Sequence, residues 1–229
     1  ERIPELKQLG KLKKLFIGHN RISRLNRDML LHNSELTLFK ATNNAISEMP
    51  ENFFNSCWSL EIIWLDKNNL TSLPKDLFKN LTSLTFLSLA SNRLTNAGID
   101  AEAFQDLRKI NELHLEHNML TSPLGGILPS SKTLSILGLT NNMLTLFENT
   151  WHRKWPKLAS LQLGYNDLGL DENLHSKLFE FSNREQEITI SLAENKITNF
   201  PLLHLPEPQN NQIVIDLQGN KLKCDCQTL

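Results

Sequence analysis

Long apolar runs are missing from this 229-residue chain: nowhere do about eighteen apolar residues follow one another, which excludes a membrane-spanning helix by sequence. The opening residues, Glu1-Arg2-Ile3-Pro4, carry neither the apolar stretch nor the small-residue cleavage site of a signal peptide. The chain as it stands is therefore expected to be soluble, with no direct membrane contact. An excess of one charge is missing too. With 24 basic and 25 acidic residues the formal net charge is −1, so no field recruits nucleic acid or an anionic surface, and neither is an expected partner. Cysteine is scarce: the three, Cys57, Cys224 and Cys226, are an odd number that cannot close a disulfide framework within the chain. Two of them stand in Cys224-Asp225-Cys226, where chain geometry disfavours a mutual bridge and points to partners beyond Leu229.

Catalytic signatures are absent as well. There is no Gly-x-Ser-x-Gly, no His-Glu-x-x-His and no Walker-type phosphate loop; Gly125-Gly126 lacks the lysine and helix that would make it one. His114, Glu116 and His117 contain metal-ligating types. On a strand, however, the positions next to a buried asparagine face solvent, and nothing supplies a third and fourth ligand, so an exposed polar surface is expected instead. No enzyme activity, cofactor or metal is expected.

What is present is a repeat. Leucine, two variable residues, leucine, one variable, leucine, two variable, asparagine, one variable, leucine fits Leu12, Leu15, Ile17, Asn20 and Ile22. It returns at Leu36, Phe39, Ala41, Asn44 and Ile46, and again at Leu60, Ile63, Leu65, Asn68 and Leu70. Further copies centre on Asn92, Asn118, Asn142, Asn166, Asn195 and Asn220, with successive intervals of 24, 24, 24, 26, 24, 24, 29 and 25 residues. A period of this length decides the architecture before any local propensity does. The expected fold is an α/β solenoid, a right-handed leucine-rich repeat horseshoe with a parallel concave β-sheet and an irregular or short-helical convex side. About nine repeats, Asn20 to Asn220, fill residues 1–222, leaving 223–229 beyond the array.

Each position in the repeat has a physical reason. The alternating segment, such as Leu87-Ser88-Leu89, is a short strand that sends leucines inward and the residue between them outward. The asparagine falls where the chain leaves the strand, and its amide can satisfy backbone groups that would otherwise be buried unpaired, at a cost of roughly 1–3 kcal/mol each. About ten residues later a large apolar side chain recurs, as Leu30, Phe54, Phe78, Phe104 and Leu128, to fill the wider half of the coil. Nine strands about 4.8 Å apart give a sheet on the order of 40 Å long, a surface for a macromolecule. In the longest interval, Leu174, Leu178 and Phe181 at helical spacing behind Asp171 predict a short convex-side helix. Loops are expected at 123–129 and around Pro206-Glu207-Pro208.

Leu73-Pro74-Lys75-Asp76-Leu77-Phe78 resembles the extracellular "typical" class of leucine-rich repeat. The ending, Asp216 to Cys226, looks like the opening of the cysteine-rich cap of such proteins. With Leu113-His114-Leu115-Glu116-His117-Asn118 and the irregular late repeats, the chain resembles part of a Toll receptor ectodomain, most like the insect branch. The resemblance implies that Cys224 and Cys226 pair with two cysteines downstream. It implies the extracellular part of a single-pass plasma-membrane receptor of innate immunity or development. Its partners would be a secreted cystine-knot cytokine of the Spätzle type and a second receptor chain, with N-linked glycans.

Between the strand leucines one residue per coil faces outward: Phe16, Lys40, Trp64, Ser88, His114, Gly138, Gln162, Ser191 and Asp216. Phe16 and Trp64 are large aromatics where water should be, with Phe86 and Tyr165 at neighbouring variable positions. Because aromatics dominate interface hot spots, a ligand site is read at Phe16, Lys40, Trp64 and Phe86, with His114 beside it. Scattered exposed aromatics are also common on surfaces that bind nothing. Asn69-Leu70-Thr71 and Asn80-Leu81-Thr82 are glycosylation sequons. Cys57 is expected as a small buried hydrophobe rather than a reactive thiol. Lys7, Lys11, Lys13, Lys14, Arg21, Arg24 and Arg27 form a basic edge that is either solvated or steers an acidic partner. Two other functional readings stay open: an adhesion or matrix protein, and an intracellular scaffold, which requires Asn69 and Asn80 to be bare.

Overall fold

The computed structural model describes residues 6–147, 151–169, 187–199 and 213–223. Each repeat contributes one short strand: β1 Lys14–Phe16, β2 Leu38–Lys40, β3 Ile62–Trp64, β4 Phe86–Ser88, β5 Glu112–His114, β6 Ile136–Gly138, β7 Ser160–Gln162, β8 Ile188–Ser191 and β9 Ile213–Asp216. They form one nine-stranded sheet in strict sequence order, every neighbouring pair parallel. This is the leucine-rich repeat solenoid read from the sequence. The convex side is irregular or short-helical, as that reading expected. Among the described residues its helical share amounts to a 3-10 turn, Asn96–Gly98, and one four-residue helix, α1, Trp151–Lys154; the remainder is a repeated series of turns. The helix expected near 171–181, the loop at 206–212 and Cys224 and Cys226 lie outside the described residues.

Register fixes which side chains meet. The centre of each strand, from Phe39 and Ile63 through Leu87, Leu113, Leu137 and Leu161 to Ile190, is buried in the core, and these residues are Cα partners across the sheet. The two-residue excess between Asn92 and Asn118 does not disturb this register. It is absorbed in the 3-10 turn, where the Thr95 side chain caps Gly98 and Leu73 bridges to Ile99. Behind the sheet the phenylalanines stack along the solenoid axis. Phe54 lies 6.2 Å from Phe78 at 12°, and Phe78 lies 5.9 Å from Phe104 at 10°. Phe39 and Phe53 meet Phe54 edge-on, so aromatic rings fill the wider half of the coil. Where the series ends, Trp155 takes over and donates its indole N–H to the Pro129 carbonyl at 2.8 Å. Cys57 sits in this layer with no exposure; burial pushes its thiol up to about 12, so it acts as a small apolar filler.

The asparagines tie coil to coil. From Asn44 to Asn220 each side-chain oxygen accepts the N–H two residues beyond the preceding rung, from Ile22 onto Asn44 through to Ile197 onto Asn220. Each amide N–H2 donates to at least one carbonyl of its own coil and one of the preceding coil; Asn118, for example, donates to Leu115 and Leu89 at 3.1 Å and to Glu116 at 3.2 Å. Asn20 departs from the expected rung. It is exposed and donates only to Ile17 and Gly18 of its own coil, because among the described residues no coil precedes it to supply the other groups. Leu9, in the same first coil, is 52% exposed.

One further feature had no counterpart in the sequence reading. The residue before every rung, His19, Asn43, Lys67, Ser91, His117, Asn141, Tyr165, Glu194 and Gly219, has φ between 53° and 70°. Eight of these nine are not glycine, so the left-handed geometry is imposed rather than preferred. The N–H of each of those eight is held by a carbonyl of the next coil, as His117 by Thr140 and Tyr165 by Ala193.

Replacing Asn118 by Ala is expected to destabilise the protein by about 1–3 kcal/mol, since it strands the buried Leu94 N–H and takes one of two donors from the Leu89 and Leu115 carbonyls. The same change at Asn20 is expected to cost under about 0.5 kcal/mol. Urea unfolding of the two variants decides it; equal losses would contradict this account of the ladder.

Candidate functional site on the concave face

Three rows of side chains cover the concave face, because each strand presents alternate residues outward and successive strands keep register. The first runs Lys14, Leu38, Ile62, Phe86, Glu112, Ile136, Ser160. The second runs Phe16, Lys40, Trp64, Ser88, His114, Gly138, Gln162. Just past the strand ends stands a third, which includes Thr42, whose hydroxyl donates to Asp66 at 2.8 Å, and Glu116.

Sequence reading had singled out Phe16, Lys40, Trp64, Phe86 and His114, and the fold brings four of the five into contact. The Lys40 ammonium lies 4.9 Å from the Trp64 ring centroid, Trp64 lies 4.4 Å from Phe86, and Phe86 lies 5.3 Å from His114. Cation, two aromatics and imidazole thus form one chain of ring contacts across β2 to β5. Phe16 is 63% exposed at the edge of the sheet and joins no ring contact, although its strand position faces Lys40.

Sequence reading had grouped Glu116 with His114; the second carboxylate, Glu112, is the part it missed. Glu112, His114 and Glu116 alternate along one strand and its exit, so all three face outward. His114 Nδ1 lies 2.8 Å from Glu116 Oε1, and Nε2 lies 3.5 Å from Glu112 Oε2. The hydrogen bond that the His114 ring N–H donates to Glu116 raises the His114 pKa above its ordinary value, against the lowering effect of burial and with help from the charge of Glu116 and a weaker hydrogen bond to Glu112. Its side chain is only 22% exposed, so the solvated imidazole expected from the sequence is instead a half-buried member of a triad. Spacing carried the signal: two acids at i−2 and i+2 of a strand histidine. The second Glu116 oxygen, Oε2, is buried and has no hydrogen-bond partner.

Two other positions differ from expectation. Ser88, read as solvent-facing, is buried because its register partners are Trp64 and His114, whose rings cover it. Gly138, also read as outward and exposed, is buried under the Glu116 carboxylate; a Cβ there would displace that carboxylate from its present position. His117 sits apart on the turn, where it bonds Asn141, and does not join His114. Among the described residues no group of three or more His, Cys, Asp or Glu side chains is placed to hold a metal.

The sequons lie elsewhere. Asn80 is exposed on the convex side, its φ is 64°, and its N–H donates to Asp106 at 2.9 Å. Asn69, next to the buried rung Asn68, is half-buried, with its backbone N–H held by Ile46 at 2.8 Å. No helix among the described residues is long and apolar enough to cross a membrane.

A chain built this way has the leucine-rich repeat fold. The family model described as leucine rich repeat matches residues 58–120. The chain is similar to Protein toll of Drosophila melanogaster, 31% identical over 142 residues, which is 56% of this chain and 13% of that protein. It is also similar to the human leucine-rich repeats and immunoglobulin-like domains protein 1, 30% identical over 111 residues, 48% of this chain and 10% of that protein. The structure of the Toll–Spätzle complex in its glycosylated form superposes with a TM-score of 0.76 at 29% identity, covering 95% of this chain and 29% of that one. The chain therefore spans about an eighth or less of the curated relatives it matches.

The triad makes a pH prediction. Because the folded pKa of His114 is raised, its pairing contributes stability in full below the ordinary imidazole value of 6.5 and loses it as pH rises through the folded value. The stability difference between the parent chain and His114→Gln should be largest near pH 6 and shrink towards about pH 8.5. Thermal melts across that range would refute this if the difference stayed constant or grew with pH.

Proposed function

We propose that the chain is the ligand-recognition segment of a Toll-type receptor outside the cell, that it binds a secreted cystine-knot cytokine of the Spätzle type, and that it supports receptor dimerisation. The observation that carries the proposal is the continuous row of Lys40, Trp64, Phe86 and His114 on an open concave sheet. Aromatic and cationic side chains in contact, backed by a rigid strand ladder, are the composition of an interface hot spot, and their ordering cost is already met. The similarity to Toll and to the Toll–Spätzle complex supports a protein as the partner. Recognition of this kind needs no nucleophile, metal or cofactor, and the proposed role is non-enzymatic. Asn80 is reachable by the glycosylation machinery and Asn69 partly so, consistent with N-linked glycans.

The similarity to a human protein with immunoglobulin-like domains favours a second reading, an adhesion-type leucine-rich repeat protein. The two differ in what binds. The chain, secreted from cells and immobilised, should bind a member of a panel of secreted cystine-knot cytokines. Trp64→Ala and Phe86→Ala should each weaken that binding about tenfold or more, while the exposed Lys109→Ala leaves it unchanged. Failure of every cytokine to bind, or equal binding by all variants, overturns the receptor reading. Mass spectrometry of the secreted protein should find glycan on Asn69 or Asn80; both bare would favour an intracellular scaffold.

A further inference from the structure

The concave row is not only aromatic; it is polarised. At the β2 end stands the Lys40 ammonium, with Lys14 on the neighbouring strand. At the β5 end stand two carboxylates, Glu112 and Glu116, served by a single imidazole. The strands that flank β5 add no charge there: they offer Phe86 and Ser88 on one side and Ile136 and Gly138 on the other. Negative charge is thus in local surplus even with His114 protonated. Glu112 is the more open of the two carboxylates, its side chain 35% exposed against 14% for Glu116. The Phe86 ring beside it gives a guanidinium a flat face to lie on.

Geometry turns this polarity into a pattern. From β2 to β5 is three strand spacings, about 14 Å. An extended segment advances about 3.3 Å per residue and shows alternate side chains to one face, so residues i, i+2 and i+4 span about 13 Å on one side. We propose that the concave face takes an extended segment of the protein ligand lying along the solenoid axis. Its carboxylate at i sits over Lys40, an apolar side chain at i+2 lies on Trp64 and Phe86, and an arginine at i+4 lies between Glu112 and Glu116. The inference rests on the receptor reading above and adds the chemistry of what is recognised.

Two fluorescein-labelled nine-residue peptides test it against the full 229-residue chain. Both contain one glutamate, one tryptophan and one arginine in a threonine background; in the first these occupy positions 3, 5 and 7, in the second three adjacent positions. The alternating peptide should bind about tenfold more tightly by fluorescence polarisation. That preference should be lost in the double variant Glu112→Gln and Glu116→Gln, and reduced about threefold in Lys40→Ala. Thermal melts of each variant establish that it is folded. Binding should strengthen from about pH 5.5 to pH 8, as His114 gives up the proton that competes with arginine, and His114→Asn should flatten that dependence. Equal affinity for the two peptides, a preference that survives in the double variant, or no binding of the alternating peptide at about 1 mM would overturn the inference. These outcomes are separable from failure of the receptor reading: cytokine binding that depends on Trp64, together with indifference between the two peptides, overturns the charge pattern alone.

Discussion

The solenoid depends on one interaction: a buried amide that completes the backbone of two coils at once. Turning the chain off a parallel strand every 24 residues leaves N–H and C=O groups inside, and an apolar interior cannot hold them unpaired. The asparagine oxygen takes one such N–H, from Leu94 at Asn118 for instance, and its N–H2 serves carbonyls in the same coil and the one before. Aspartate has no N–H to give, and glutamine is one methylene too long for a rung spaced by a single turn. With the rungs fixed, the strand centres stay in register and the phenylalanines behind them stack at nearly parallel angles.

Rigidity in the ladder is what gives the concave face its chemistry. Strand spacing puts Lys40, Trp64, Phe86 and His114 within reach of one another without help from loops, and alternation puts Glu112 and Glu116 on either side of His114. Small residues in the row matter as much as large ones. Ser88 disappears beneath Trp64 and His114, and Gly138 yields its space to the Glu116 carboxylate. The surface is therefore made by side chains leaning across strands, and the reach of each is set by its neighbour in the next coil.

The repeat, the sheet and the inward positions were legible because period and alternation are linear properties of the chain. The identities of the aromatics in the concave row were legible for the same reason. What was not legible depends on neighbours in space. Phe16 and Trp64 occupy equivalent strand positions, yet one stands exposed and the other is wedged between a lysine and a phenylalanine, a difference made by the side chains of the flanking coils. Glu112 escaped notice because it lies in the row above His114, although the i−2 spacing was in plain view. The left-handed turn residues escaped for a deeper reason. Histidine, lysine, serine, tyrosine and glutamate have no common preference for that geometry, and what holds them there is a hydrogen bond to a coil not yet made when they are synthesised.

That last bond, set beside the ladder, gives the assembly a direction. Each rung reaches back to the preceding coil, whereas each left-handed turn reaches forward to the next. A coil is therefore clasped only when its successor arrives carrying both the asparagine and the waiting carbonyl. A chain emerging from its N-terminus would close like a zip, every tooth locked by the one after it, and at each moment the newest coil alone would remain open to wrong partners.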